Sequence, residues 1–368
     1  MSKIGIIGGG INGLFISWQL SLQGFHVELF ESDKLLQQTS SASSKLLHGG
    51  IRYLEQGHFG LVRESLRDRA WWLKNASEFC HPIKICMPGF RNNKRSLIKL
   101  YAGAVLYRLI AGKYSLGPNS WISTDKTQKL FPDLKTTNLL GSVSFYDAQM
   151  NEEKLGAWVI DKAKKSGVKI YENTKVNHFT ADAKIFTSSF GVKKFDFIIN
   201  AAGPWAASLN EINEIETRYY LRLIRGSHLL LNIEVSGAFL FQEPKGGRVV
   251  FVLPYSGKTL VGTTEEPQLI DEDIKCSDQE RSYLLDIFNK NFSKSVNEQD
   301  IVKEFSGLRP IVASKAETKE GYFSSASREA KLEITDKLLT VYGGKWTSVP
   351  SLSKKVLKKI NTMRRLYA

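Results

Sequence analysis

The chain has 368 residues, of which 42% are hydrophobic and 24% are charged, and its formal net charge at pH 7 is +14. This composition is that of an ordinary globular protein, long enough for two connected domains with a sizeable core. No run of about 18 apolar residues occurs, so no transmembrane helix is expected. The positive charge favours an anionic partner, which could be a substrate, a membrane surface or nucleic acid.

A dinucleotide-binding motif opens the chain. The apolar run over residues 3–7 predicts a buried parallel strand, and it leads into G-x-G-x-x-G at Gly8, Gly10 and Gly13. The first glycine permits a tight turn, the second lets backbone approach a pyrophosphate, and the third lets the next helix pack closely. That helix, predicted over 11–23, offers free N–H groups and a positive dipole end to the phosphates.

A second strand, predicted over residues 26–31, ends in an acidic residue. Glu31 lies roughly 20 residues beyond the glycines, where a carboxylate can accept a hydrogen bond from a ribose hydroxyl. An acid at this position favours FAD or NAD over NADP. Because the glycine motif begins at residue 8, no signal peptide is expected before it.

A hydroxyl-rich segment follows at residues 39–45, T-S-S-A-S-S-K, and such a segment suits a loop that lines a ligand. It continues as K-L-L-H-G-G-I-R-Y-L-E over residues 45–55. These segments resemble the FAD-dependent glycerol-3-phosphate dehydrogenase family, within the larger D-amino-acid-oxidase-like group of flavoproteins. The resemblance recurs in family order as N-A-A-G-P-W over 200–205, R-G-S-H over 225–228, G-T-T-E over 262–265, G-L-R-P over 307–310 and G-G-K-W-T over 343–347.

The resemblance implies an α/β fold in which two domains are interleaved along the chain. A Rossmann-like FAD-binding domain would be assembled from residues 1–75, 146–215 and 300–368. An antiparallel-sheet substrate domain, of α+β type, would be built from residues 76–145 and 216–299. That second sheet would cover the flavin ring and shape the substrate pocket.

The resemblance also implies a reaction. A hydride would pass from C2 of sn-glycerol 3-phosphate to flavin N5, the C2 hydroxyl would lose a proton, and dihydroxyacetone phosphate would form. The substrate phosphate calls for arginine forks and a lysine. Arg52, Arg309 and Lys345 are assigned to it, with a hydrogen bond from Tyr53 and with Trp346 beside them.

Two histidines compete for the role of general base, a role that suits the pKa of histidine. His48 is preferred, because the two glycines after it allow close approach of substrate; its alternative role is to hold the loop through a backbone hydrogen bond. His228 is the rival base, with Glu265 as an orienting or proton-accepting partner. The segment D-A-Q-M-N over 147–151 also resembles a family motif and is interpreted as structural.

The motif and the resemblance together give a larger set of residues expected to contact FAD. They are Gly8, Gly10, Asn12, Gly13, Glu31, Ser40, Ser41, Ser43, Ser44, Lys45, Leu47, Val176, Ala202, Gly203, Trp205, Gly307, Arg309, Gly344 and Lys345. No metal is expected, since Cys80, Cys86 and Cys276 are spaced for neither a zinc site nor a redox pair and are interpreted as reduced thiols.

The chain departs from the resembled family in two ways. Family members continue past the glycine-glycine-lysine turn into a further helical domain, whereas this chain ends at residue 368, and we expect it to lack that domain. After Thr347 the family often continues Thr-Tyr-Arg, but here Ser348-Val349-Pro350 follows. Pro350 is expected to delay the start of the last helix.

Two surfaces are candidates for a membrane contact. The apolar segment Ser96 to Gly112 could lie in a membrane interface or be a helix buried between the domains. The basic tail from Lys354 to Arg365 is interpreted as a solvated helix end, with anionic lipid as the alternative. A cytoplasmic protein, peripheral on the membrane face or not, is expected, with quinone or oxygen as the electron acceptor. The sequence gives no oligomeric state.

Two other functions remain open. The chain could be an FAD-dependent oxidase or oxidoreductase of another small anionic alcohol or amine, since it diverges from the family at Ser348-Val349-Pro350. It could also be a flavoprotein that acts mainly by binding. Nucleic acid is not favoured as the partner, because no paired aromatic and basic RNA-binding motif is present.

Overall fold

A computed structural model describes residues 1–243, 248–314 and 329–367 of the chain. The strands are β1 Lys3–Ile7, β2 His26–Phe30, β3 Leu46–Leu47, β4 Cys80–Phe90, β5 Ser120–Ile122, β6 Leu139–Met150, β7 Lys169–Tyr171, β8 Val176–Phe179, β9 Lys184–Thr187, β10 Gly191–Lys194, β11 Phe197–Asn200, β12 Tyr219–Leu231, β13 Ala238–Gln242, β14 Val249–Tyr255, β15 Lys258–Gly262, β16 Glu266–Pro267, β17 Ile301–Ser314, β18 Lys331–Thr335 and β19 Leu338–Tyr342. The α-helices are α1 Ile11–Leu22, α2 Phe59–Asn75, α3 Leu97–Ala111, α4 Thr124–Leu130, α5 Glu152–Lys165, α6 Ala206–Ile212, α7 Asp278–Asn291 and α8 Val349–Leu366.

The strand and helix predictions near the N-terminus are confirmed, with ends that differ by one residue. Within the described residues, a six-stranded sheet has the order β18-β19-β11-β1-β2-β7, and its central strands β19, β11, β1 and β2 are parallel. In β1, Ile4, Ile6 and Ile7 are buried, as expected for a strand covered on both faces. Helices α1, α5 and α8 share one hydrophobic cluster with this sheet. The predicted Rossmann-like α/β architecture is confirmed.

A second, larger sheet is mostly antiparallel. Its order among the described residues is β16-β12-β15-β14-β13-β4-β6-β3, with β17 paired to β12 and β5 paired to β6. The predicted antiparallel pair over 248–253 and 259–262 is present as β14 and β15. The register of β12 and β17 sets Gly226 opposite Gly307 and Ile224 opposite Arg309. Two segments with predicted site residues therefore lie side by side.

The predicted domain boundaries can be compared with the two sheets. All six strands of the parallel sheet come from the segments assigned to the FAD-binding domain. Strand β17 begins just after the predicted boundary at residue 300 but pairs with β12 of the larger sheet. Residues 244–247, 315–328 and 368 of the predicted domains lie outside the described residues. The division into two domains stays a prediction.

An aromatic cluster ties α1 and α2 to the loop before α8. The rings of Phe15, Trp18, Trp71 and Trp72 pack edge to face, with centroids 5.0 to 6.4 Å apart. The indole N–H of Trp72 donates to the carbonyl of Trp346 at 3.0 Å. A buried indole needs such a partner, and this bond fixes the loop that carries Lys345 and Trp346.

The expectation that Pro350 delays the last helix is wrong. Helix α8 begins at Val349, directly after a 3-10 turn over Trp346–Ser348, and Pro350 lies in its first turn. Backbone N–H groups in the first turn have no acceptor within the helix, so a proline there removes no hydrogen bond. Val356, Ile360 and Met363 of α8 are fully buried against the core, while Tyr367 is 48% exposed.

Helix α3 occupies the apolar segment that was a candidate for membrane contact. Leu100, Ala104 and Tyr107 are buried in a cluster shared with α2 and the large sheet, whereas Ile98 and Leu109 are 72% and 70% exposed. One face therefore belongs to the core and the other carries apolar side chains in solvent. Among the helices of residues 1–243, 248–314 and 329–367, none is long and apolar enough to span a membrane.

Candidate active site

A cavity of about 430 Å³ lies beyond the carboxyl ends of β1, β11 and β19. In parallel α/β sheets this edge is where nucleotide ligands bind. Many of the residues predicted to contact the cofactor line it. They are Gly8, Gly10, Asn12, Glu31, Ser40, Val176, Ala202, Gly203, Trp205, Gly344 and Lys345.

The glycines of the first motif are required by their surroundings. Gly8 has φ +104°, in the region that favours glycine, and a Cβ there would lie 2.7 Å from the carbonyl oxygen of Ala201. A Cβ on Gly13 would lie 1.9 Å from the carbonyl oxygen of Gly8. Side chains are thus excluded from the turn, which leaves backbone facing the cavity at the N-terminus of α1. The hydroxyl of Ser40 accepts a hydrogen bond from Ile11 N at 3.0 Å, at this same helix end.

Glu31 is held against the glycine turn at the edge of the cavity. Its Oε2 accepts from the backbone N–H of Gly9 at 2.6 Å, and its Oε1 accepts from that of Asp33 at 3.0 Å. Oε1 also accepts from the Ser32 hydroxyl at 3.0 Å, so these bonds orient the carboxylate while Oε2 retains a lone pair for a further donor. The position therefore suits recognition of a ribose hydroxyl.

A second cavity, of about 220 Å³, adjoins the first. The two share lining residues Thr39, Pro310, Gly344, Lys345 and Trp346. The residues predicted for catalysis and substrate binding all line this second cavity, and so do two of the predicted cofactor serines. They are Ser43, Ser44, His48, Arg52, Tyr53, His228, Glu265, Arg309, Lys345 and Trp346.

His48 follows the short strand β3 and is held through its backbone. Its N–H donates to Thr347 Oγ1 at 3.1 Å, and the next N–H, of Gly49, donates to Asp147 Oδ1 at 3.3 Å. Gly50 has φ +81°, which lets the chain turn into the 3-10 helix Ile51–Leu54 that carries Arg52 and Tyr53. The segment over residues 48–53 thus contributes three of the predicted site residues to the cavity.

His228 lies on β12 and lines the same cavity. It is 2% exposed, and neither ring nitrogen has a hydrogen-bond partner among the described residues. The ring stacks on Phe305 with centroids 5.0 Å apart. Burial, and then the charges of Arg309 and Lys45, hold the pKa of His228 well below its ordinary value. A neutral imidazole with an available lone pair therefore faces the cavity.

Cations from three distant parts of the chain meet in the second cavity. Glu265 Oε1 lies 3.5 Å from a guanidinium nitrogen of Arg309 and 3.7 Å from one of Arg52. Arg309 also donates to the Thr263 hydroxyl and to the Thr264 carbonyl, the latter at 3.3 Å.

Lys345 is the third cation. Its ammonium lies 5.3 Å from the centre of the Tyr53 ring and has no hydrogen-bond partner within the described part of the chain. A buried ammonium needs acceptors, so this side chain is suited to receive an anionic ligand.

Some predicted cofactor residues line neither cavity. They are Gly13, Ser41, Lys45, Leu47 and Gly307. The ammonium of Lys45 pairs with the buried carboxylate of Glu152, which also accepts from the hydroxyl of Ser43, and Ser41 Oγ donates to the carbonyl of Gln38 at 2.9 Å. The roles assigned to these residues stay predictions.

A buried charged network behind His48 was not singled out from the sequence. Arg69 Nη1 donates to Asp147 Oδ1 at 2.8 Å, and the Tyr107 hydroxyl lies 3.0 Å from both oxygens of Asp147. Burial raises the pKa of Asp147, whereas the Arg69 guanidinium lowers it. Asp147 falls in the D-A-Q-M-N segment, but Arg69 and Tyr107 belong to helices whose sequences carry no motif.

A parallel sheet with a glycine turn at its edge, adjoining a cavity walled by a second sheet, defines a Rossmann-like dinucleotide-dependent enzyme. The chain belongs to the FAD dependent oxidoreductase family, whose sequence model matches residues 3–341. The predicted family resemblance, the enzyme class and FAD as cofactor are therefore confirmed.

Named relatives are similar over most of this chain. The aerobic glycerol-3-phosphate dehydrogenase of Staphylococcus saprophyticus is 29% identical over 96% of this chain and 65% of its own length. A mitochondrial glycerol-3-phosphate dehydrogenase of Arabidopsis thaliana is 29% identical over 95% of this chain and 59% of its own length. The chain thus spans about three fifths to two thirds of the length of these relatives.

Solved structures show the same fold. The glycerol-3-phosphate dehydrogenase of Bacillus halodurans, complexed with FAD, has a TM-score of 0.75 and 22% identity, covering 98% of this chain and 64% of that one. The glycine oxidase of Geobacillus kaustophilus has a TM-score of 0.76 and 20% identity, covering 98% of this chain and 95% of that one. At these identities the likeness concerns the fold alone.

The residues of the first cavity fit the cofactor of the family. Its glycine turn offers backbone without side chains, Glu31 offers oriented carboxylate oxygens, and Asn12 Oδ1 is buried without a hydrogen-bond partner among the described residues. The volume of about 430 Å³ is within the range of ligand pockets. These groups would hold the dinucleotide, and the shared wall of both cavities would bring substrate beside it.

Proposed function

We propose that this chain oxidises sn-glycerol 3-phosphate to dihydroxyacetone phosphate with FAD and passes the electrons on to quinone or another acceptor. The observation that carries the proposal is the group of three cations, Arg52, Arg309 and Lys345, in the cavity that adjoins the dinucleotide cavity. Similarity to named glycerol-3-phosphate dehydrogenases supports it. A small apolar or neutral substrate would add no negative charge to a partly buried wall that carries three cations, whereas a phosphate group would pair with them.

The residues of the second cavity have separate roles in this reaction. The arginine forks and the ammonium bind the phosphate and so fix the C2 carbon in one orientation. FAD, when bound, accepts the hydride that leaves this carbon. The C2 hydroxyl gives its proton to a histidine, for which His48 is preferred and His228 is the alternative.

The two histidines differ in the evidence that supports each as the base. His228 is already neutral and buried, so it can accept a proton without first losing one. His48 lies between two backbone hydrogen bonds, from its own N–H and from that of Gly49, that fix its position in the wall. Both imidazoles line the cavity in which the substrate would lie.

The test is anaerobic reduction of the flavin-loaded protein by sn-glycerol 3-phosphate, followed at the oxidised-flavin absorbance near ~450 nm, a property of the cofactor. Rapid bleaching that glycerol does not reproduce would support both the substrate and the phosphate site. If dithionite bleaches the flavin and glycerol 3-phosphate does not, the alternative of another small anionic alcohol or amine takes precedence, and those compounds are screened next.

We also propose peripheral contact with an anionic membrane through α3. Ile98 and Leu109 are exposed, and Lys99 beside them has a side chain that is 63% exposed. Apolar side chains flanked by cations suit an interface of acyl chains and anionic headgroups. In a flotation assay, the protein should float with vesicles that contain anionic lipid, whereas the double variant Ile98→Ser and Leu109→Ser should not. Equal retention of both would refute the contact.

A further inference from the structure

Glu265 is an acidic side chain set among the cations of the second cavity. Its Oε1 lies 3.5 Å from Arg309 and 3.7 Å from Arg52, and only 13% of its side chain is exposed. Both distances exceed the ~2.8 Å of a charge-assisted hydrogen bond. The carboxylate thus lies between two guanidiniums without the tight fork that arginine makes with a well-placed anion.

Charged side chains of both signs line the second cavity. Among the described residues that line this cavity, Arg52, Arg309 and Lys345 are cations and Glu265 and Asp147 are acids. Asp147 is already paired with Arg69 in the buried network behind His48. Glu265 therefore brings one negative charge into direct contact with two of the three cations, Arg52 and Arg309, to which a phosphate monoester would also be attracted.

We propose that Glu265 is a resident counter-ion that a phosphate group displaces, so that it lowers the affinity of the anion site. This inference rests on the proposed function. An anion that approaches Arg52 and Arg309 meets Glu265 at the same guanidinium nitrogens, and like charges a few ångströms apart repel strongly in a partly buried site. The carboxylate must therefore move, and its ion pairs must be broken, before the phosphate can form its own.

This role differs from that of a proton-accepting partner of His228. It acts on every phosphate ligand alike, because substrate and product carry the same group. A counter-ion that weakens both would keep the arginines in place between turnovers and would hasten product release. Removing its charge should tighten binding of simple anions, which have no proton to transfer.

The test measures binding of inorganic phosphate to the FAD-loaded protein by calorimetry. Glu265→Gln should lower the dissociation constant at least tenfold relative to the unmodified protein. Glu266→Gln is the matched control, since Glu266 is the next residue, is 46% exposed and pairs with Arg248 outside both cavities. It should change the constant by less than twofold. If Glu265→Gln does not load FAD, Glu265→Ser replaces it.

The outcomes separate this inference from the proposed function. Unchanged or weaker phosphate binding by Glu265→Gln would overturn the counter-ion role and make Glu265 a residue that orients the arginines. Failure of phosphate to bind to any of the three proteins would overturn the phosphate site itself. Tighter binding by Glu265→Gln and Glu266→Gln alike would overturn the counter-ion role and indicate a general charge effect.

Discussion

At the scale of single residues, two histidines that line one cavity have different surroundings. The position of His48 is set by backbone hydrogen bonds to Thr347 and Asp147, at the end of a motif rich in glycine. His228 is fixed by burial and by its stack on Phe305. A base must reach the proton that it removes, whereas a buried neutral imidazole can also serve as a hydrogen-bond acceptor for a bound hydroxyl.

The variant His48→Gln tests the first of these roles. Glutamine can still hydrogen-bond but cannot accept a proton near neutral pH, so we expect the rate of flavin reduction by glycerol 3-phosphate to fall by ~10² or more. Rapid-mixing absorbance measures this rate. His81→Gln, at an exposed position on β4, should leave it unchanged. A loss smaller than tenfold in His48→Gln would transfer the role to His228.

The guanidinium of Arg309 is the second residue whose role can be isolated. Arg309→Ala removes one arm of the proposed phosphate site, and we expect glycerol 3-phosphate to bind more weakly by about 2–3 kcal/mol while FAD remains bound. Titration of the flavin spectrum with substrate gives the dissociation constant. Arg248→Ala provides the control, since Arg248 is 41% exposed and pairs with Glu266. An unchanged constant in Arg309→Ala would remove this residue from the site.

At the scale of elements, helix α3 contacts the segment that carries His48, and the hydroxyl of Tyr107 lies at this contact. Tyr107 is buried, and its hydroxyl lies 3.0 Å from both oxygens of Asp147, whose Oδ1 accepts the Gly49 N–H. A Cβ on Gly49 would lie 2.3 Å from the same hydroxyl, so helix and segment are in direct contact. The Tyr107 hydroxyl and the Gly49 N–H are both hydrogen-bonded to the carboxylate of Asp147. A displacement of α3 would therefore be transmitted through these two hydrogen bonds to Gly49, and so to the adjacent His48.

The variant Tyr107→Phe should therefore affect activity as well as stability. Loss of a hydrogen bond to a charged group should lower the free energy of unfolding by about 1.5–3 kcal/mol. We expect kcat to fall roughly tenfold as His48 loses its fixed position. Tyr101→Phe, on the same helix against Trp121, should change neither. A lower melting temperature with normal kcat would assign Tyr107 a role in stability alone.

Local sequence patterns predicted the strands and the helix near the N-terminus. They failed for features that depend on contacts between residues far apart in the chain. The apolar runs of β1 and β2 and the glycine turn are short-range signals, so their strands and the N-terminus of α1 were predictable. The first-turn position of Pro350 depends on where the Trp346 turn ends, which packing against Trp72 determines. No local pattern indicates the Lys45 and Glu152 pair, because those residues are 107 positions apart.

At the scale of the whole molecule, the candidate site is assembled across both sheets. The dinucleotide cavity lies at the edge of the parallel sheet, and β12 and β17 of the larger sheet carry His228 and Arg309. Only the family resemblance brought these distant segments together at the sequence level, since composition and periodicity do not indicate which strands pair. The order of the strands in the two sheets therefore brings the site residues together. Activity accordingly requires that the junctions, where neighbouring elements pack against one another, remain folded.

One such junction, between α2 and α8, contains a carboxyl group that titrates in an accessible range. Asp68 Oδ1 accepts from the Ser351 hydroxyl at 2.6 Å, and only 4% of its side chain is exposed. Burial, opposed by the Ser351 hydrogen bond, raises the pKa of Asp68 from 3.8 to about 6. The folded protein thus holds this proton more tightly than the unfolded chain does. Its contribution to stability is fully present below pH 4 and is lost as pH rises through 6.

The corresponding prediction is a change in the pH dependence of folding. Between pH 3 and 7, Asp68 should reduce the free energy of unfolding by about 3 kcal/mol, and Asp68→Asn should abolish that decrease. Denaturant unfolding of the unmodified protein and the variant at a series of pH values measures the difference. Asp161→Asn, whose side chain is 48% exposed on α5, should follow the unmodified protein. If the free energy of unfolding depends on pH in the same way in Asp68→Asn and the unmodified protein, the pKa of Asp68 is not raised in the fold. The α2–α8 junction would then accommodate a charged Asp68 at pH 5.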